Sequence, residues 1–136
     1  MSIKATPFPH LLPVDAAVWQ RWLDRYGHLF KRFDYDLKVG RGRDPGPATD
    51  PKMRQMAVTL SQRRIDAVGY RGSETHLFEI TTLADLKCLG QIQAYPLLYA
   101  QTFPTLGILK TAVVAERLGT DLETAYRQAN VTVYLV

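Results

Sequence analysis

The sequence predicts a single α/β domain, a mixed β-sheet flanked by helices with the element order α-β-β-β-α-β-α-β. Three observations carry that expectation. Apolar residues near the N-terminus recur at helical steps and then give way to two-residue alternation. Two apolar strands are joined by Gly72-Ser73, a two-residue hairpin signal. From Thr82 onwards, helical and strand segments alternate to the end of the chain, which implies a sheet with crossover helices. A chain of 136 residues, 46% apolar and 22% charged, suits one core.

Residues 1–14 read as an extended, proline-broken arm, with the domain itself at 15–136. Asp15 is the expected N-cap of a helix, since Val18, Trp19, Trp22, Leu23 and Tyr26 form one broad apolar face. That helix should end near Gly27 or a turn later at Lys31. In "RFDYDLKVG" Phe33, Tyr35, Leu37 and Val39 alternate with polar residues, so a half-buried strand with those four on one face is expected. The stretch "GRGRDPGPATDP" is a loop; its glycine spacing and its prolines do not suit a dinucleotide-binding turn. "KMRQMAVTLSQ" fits either helix or strand. The hairpin "RRIDAVGY"–"THLFEIT" follows. Thr82 and Asp85 then resemble a capping box opening a helix that Pro96 should kink or split. "TLGILKTAVVAER" reads as a strand, "DLETAYRQA" as a short helix and "VTVYLV" as the closing strand.

Composition narrows the function classes. No apolar run reaches the length of a membrane helix, and the N-terminus lacks the apolar core of a signal peptide, so a cytoplasmic or virion-associated setting is expected. The single cysteine, Cys88, excludes an internal disulfide and a multi-thiolate zinc site and reads as a small core residue. His10, His28 and His76 show no metal-ligand spacing. Net charge is +4. Lys52, Arg54, Arg63 and Arg64 form a basic band, which suits either a nucleic-acid surface or a solvated face.

The two-residue turn sets the hairpin register. Arg71 faces Glu74, Val68 faces Leu77, and Asp66 comes to lie opposite Glu79. Two carboxylates across a strand pair repel one another. A shared divalent cation, a retained proton, or a protein cation relieves that repulsion. Arg64, opposite Thr81 in the same register, is the candidate for the third role, as a structural partner of both acids.

At these residues the sequence resembles the PD-(D/E)XK nuclease-like superfamily, with its restriction-endonuclease-like fold. Asp66 matches the family aspartate, and Glu79-Ile80-Thr81 matches its acid-x-lysine except for the last residue. "QIQAY", with Gln91 and Tyr95, is similar to the Q-x-x-x-Y motif of the exonuclease-like branch. The resemblance spans roughly residues 15–116. It implies Mg2+ held by Asp66 and Glu79 in an active member, with Gln91 and Tyr95 on the nucleic-acid backbone. Thr81 replaces the catalytic lysine and carries no charge. Lys87 shares a helix face with Gln91 and Tyr95 and is the candidate for a migrated lysine; its other reading is a solvated residue of the first turn. Gln91 and Tyr95 read equally as a polar pair bridging helix to sheet.

Two functions from different classes follow. One is a degenerate, non-cleaving nuclease-fold protein acting as a structural component of an assembly, such as a phage neck or tail or a DNA-handling complex. Its protein partners would be met through residues 1–14 and 40–52. The alternative is a Mg2+-dependent DNA nuclease that uses Asp66 and Glu79 with Lys87.

Overall fold

The computed structural model describes residues 7–104 and 107–136. Helix α1 (Pro13–Tyr26) runs into a short 3-10 turn (Gly27–Leu29) and strand β1 (Arg32–Val39). Helix α2 (Pro51–Ser61), the hairpin β2 (Arg63–Arg71) and β3 (Glu74–Ile80), and the short β4 (Leu83–Ala84) follow. Helix α3 (Leu86–Thr102), β5 (Ile108–Ala115), β6 (Arg117–Leu118), α4 (Glu123–Gln128) and β7 (Val131–Leu135) complete the chain. The five long strands form one mixed sheet in the order β1-β2-β3-β5-β7. The β1–β2 and β2–β3 pairs are antiparallel; β3–β5 and β5–β7 are parallel. The fold is a single α/β domain with helices on both faces of this sheet.

Each face has its own core. On one, Trp19 and Trp22 of α1 stack at 4.8 Å and pack on Ala67, Phe78, Ala112 and Val114. On the other, Ile92, Tyr95 and Tyr99 of α3 and Tyr126 of α4 cover Ile65, Val68, Leu77 and Val113. Burying large aromatic rings on both sides is what fixes the sheet between its helices. Cys88 is buried in the α3 core, and burial pushes its thiol up to about 12, consistent with a packing role.

Several local expectations are corrected. "KMRQMAVTLSQ" is helical: Asp50 caps α2 by accepting from the Lys52 and Met53 N–H groups, and Pro51 sits in the first turn, where its missing N–H costs nothing. The order therefore gains a helix between the first two strands. The cap position of α1 is Leu12, not Asp15, because Pro13 already adopts helical backbone; Asp15 lies inside the first turn. Asp85, not Thr82, caps α3, through its Oδ1 and the Cys88 N–H, while Leu83–Ala84 pairs with β6 as a short strand. Pro96 does not split α3, which is continuous to Thr102. Of the arm, residues 7–12 lie against the domain, with Phe8 and Leu11 buried in the α1 core. Residues 1–6 lie outside the described residues, as do Thr105 and Leu106 of the "TLGILKTAVVAER" stretch.

One correction bears on the site. Phe33 and Tyr35 pack on the α1 side of β1, but Leu37 and Val39 pack on the α3 side. In β2, Ala67 faces α1 while Ile65 faces α3. Residues two apart on a regular strand share a face, so both strands switch faces together. The switch falls at Asp36 and Asp66. Pairing runs through Tyr35–Ala67 and resumes at Leu37–Ile65, leaving out the pair between them. Asp36 takes φ 51°, a left-handed conformation that aspartate tolerates better than most side chains.

Candidate functional site

The hairpin has the two-residue Gly72-Ser73 turn, with Gly72 at φ 58°, and its register matches the expected Arg71–Glu74 and Val68–Leu77 pairs. Backbone pairing between β2 and β3 ends at Ala67–Phe78, one step before the acids. Asp66 is thus unpaired in the ladders on both sides. Side chains replace the missing bonds. The Asp66 carboxylate accepts from the Ile80 N–H at 2.9 Å, and the His10 ring Nε2 donates to the Asp66 carbonyl at 3.0 Å.

Glu79 points to the α3 side, where the Tyr95 hydroxyl donates to its Oε2 at 2.7 Å. Each half-buried acid therefore holds one protein donor through one oxygen. Burial pushes Asp66 up to about 6; the Ile80 N–H and His10 oppose this, and Asp15 and Asp36 add to it. Burial also pushes Glu79 up to about 8, reinforced by the Asp66 charge and by Asp15, with the Tyr95 hydroxyl opposing. Tyr95 is raised by burial and by Glu79, so it stays a donor.

Arg64 does not join the acids. Its guanidinium bonds Asp36 at 2.8 Å, and among the described residues no cationic side chain forms an ion pair with Asp66 or Glu79. The expectation of Arg64 as their structural partner is corrected. With the face switch at Asp36 and Asp66, the acid nearest to Arg64 is the one on β1. Thr81 closes a local turn instead, its hydroxyl and the Leu83 backbone bonded at 3.3 and 3.4 Å.

Lys87, Gln91 and Tyr95 do come together. They line a cleft of about 520 Å³ between the start of β2 and α3, with Arg63, Arg64 and Leu98 also in its wall. Lys87 and Gln91 are exposed, while Tyr95 is buried and separates the cleft from Glu79. Tyr95 thus bridges helix to sheet. Lys52 and Arg54 lie elsewhere: both are on α2, and Arg54 is held by Asp44 through two bonds of 2.7 Å. Sequence reasoning missed His10, whose partner lies 56 residues away and leaves no local signal. It also missed Arg41 and Arg43, which sit in the glycine-proline loop.

A metal at the pair would find two side-chain carboxylates. The described residues contain no group of three His, Cys, Asp or Glu able to hold an ion. No described hydrogen bond reaches Asp66 Oδ1 or Glu79 Oε1. That donor set fits a cation such as Mg2+, which takes one or two carboxylates and fills its remaining positions with water or ligand oxygens. No helix among the described residues is long and apolar enough to cross a membrane. Comparisons with protein-family models, with curated proteins and with solved structures gave no match.

Proposed function

We propose that this chain is a restriction-endonuclease-like domain of the PD-(D/E)XK type that does not cleave and serves as a binding and structural component of a larger assembly. The observation that carries the reading is the lack of any cation paired with Asp66 or Glu79 among the described residues. Phosphodiester cleavage in such a site needs a positive charge beside the acids to steady developing negative charge. The residue at the lysine position, Thr81, has its hydroxyl engaged with Leu83. Assembly contacts are assigned to the loop 40–52 and to α2. Met53, Met56 and Leu60 lie one helical turn apart on α2 and are more than half exposed, at 64%, 56% and 71%.

The cleft favours a second reading. Lys87, Gln91 and Tyr95 share one wall, and the acids keep two oxygens free of protein donors. In this reading Asp66 and Glu79 would hold Mg2+, which would supply an activated water, and Lys87 would supply the charge. A cleavage assay on supercoiled and linear DNA with Mg2+ or Mn2+ decides between the two. The wild type should leave the DNA intact. Metal-dependent cutting that disappears in Asp66→Asn/Glu79→Gln would overturn the non-cleaving reading.

A further inference from the structure

The cleft beside α3 is not isolated. A second cleft of about 340 Å³ lies at the start of the β1–α2 loop, walled by Gly40, Arg41, Gly42, Arg43 and Ser61, and it shares Arg63 and Leu98 with the first. The two form one groove. It passes from Arg41 and Arg43, over Arg63, to Arg64, Lys87 and Gln91. No carboxylate lines either part. Arg41, Arg43, Arg63 and Lys87 are exposed and form no ion pair among the described residues; only Arg64 has a partner, Asp36. Residues 40–64 contain Arg41, Arg43, Lys52, Arg54, Arg63 and Arg64 against Asp44 and Asp50. Of these six cations, Lys52 and Arg54 stand on α2 away from the groove, and the other four line it.

We infer that this groove binds the phosphodiester backbone of a single nucleic-acid strand, with Arg41, Arg43 and Arg63 as its principal phosphate contacts. The inference rests on the charge and continuity of the groove and stands apart from the nuclease-fold reading. Two features favour a nucleic acid over an acidic polypeptide. Protein–protein interfaces have an apolar centre depleted in charge, whereas this groove sets five cations and no carboxylate among apolar wall residues such as Val39, Ala94 and Leu98. Nucleic-acid interfaces are more polar and far more positive. Arginine also presents a planar pair of donors that matches phosphate oxygens. Tyr95 has its hydroxyl on Glu79 and is buried, so it offers no face for base stacking, and recognition should be independent of sequence.

The test is fluorescence anisotropy with a labelled mixed-sequence single-stranded oligonucleotide, in EDTA, at 50 and 200 mM salt. Five phosphate contacts predict affinity falling about 100-fold between those concentrations. Arg41→Gln/Arg43→Gln/Arg63→Gln should bind at least tenfold more weakly and flatten the salt dependence by about two in log–log slope. Lys52→Gln, off the groove, should bind within twofold of wild type. If the triple variant melts early, Arg41→Gln and Arg43→Gln are read singly, each expected to weaken binding severalfold. Absence of binding at 50 mM salt overturns the inference, as does equal weakening by Lys52→Gln. Displacement by polyglutamate at equal charge concentration overturns it in favour of an acidic protein segment. Because no metal is present, a failed cleavage assay leaves this result untouched.

Discussion

Glu79→Gln should make the protein more stable, and only above acidic pH. The Glu79 carboxyl is raised from an ordinary 4.5 to about 8, first by burial and then by Asp66. The folded state therefore holds a proton that the unfolded chain releases. Stability from this group is fully present below about pH 4.5 and is lost as pH rises through about 8. Moving a carboxyl over that range corresponds to roughly 5 kcal/mol at most. Water reaches the half-buried side chain and the effect is shared with Asp66, so about 2 kcal/mol is expected at pH 9. Glutamine keeps an acceptor for the Tyr95 hydroxyl and carries no charge. Urea unfolding of wild type and Glu79→Gln at pH 4 and pH 9 reads the difference. It should be near zero at pH 4 and about 2 kcal/mol at pH 9, a melting shift of roughly 5–10 °C. A variant no more stable than wild type at pH 9, or equally stabilised at both pH values, would refute the reasoning.

Tyr95→Phe removes the donor to Glu79 Oε2 and should cost about 1–2 kcal/mol at pH 9, less at pH 4, where the acceptor is uncharged; urea unfolding at the two pH values checks this. Asp66→Ala should destabilise by about 1–2 kcal/mol at pH 5, because it leaves the Ile80 N–H without its acceptor. Faster hydrogen exchange at Ile80 than at Leu77 in that variant is the accompanying signature, and unchanged exchange there would count against the role assigned to Asp66.

Much of the fold was legible because it is encoded locally. The tryptophans of α1 recur at helical steps, and the two-residue Gly72-Ser73 turn sets the hairpin register through Ala67–Phe78, one step short of the expected opposition of Asp66 and Glu79. The helix α2 was not legible as such: its apolar residues never meet the core, so their period competes with a strand pattern of equal strength. What decides it is Asp50, whose cap lies outside the apolar pattern. Arg64 was misassigned for a different reason. Register gives neighbours along a flat sheet, and it assumes that alternation continues. Here two strands change face together at Asp36 and Asp66, and no propensity of the flanking residues announces it.

That change of face gives the two acids different roles. Asp66 sits where both ladders lapse, and its carboxylate and carbonyl take bonds that a regular strand would make through its backbone. Its burial is offset in part by the N–H it satisfies, and the carboxyl still stands raised to about 6. Among the described residues Glu79 satisfies no backbone group and its one hydrogen-bond partner is the Tyr95 hydroxyl, so most of its burial is uncompensated. Once ionised, a carboxyl held in that way costs the fold stability. Removing Asp66 breaks the sheet's hydrogen bonding, whereas removing the charge of Glu79 relieves it. Glu79 is therefore the acid whose charge the architecture does not require.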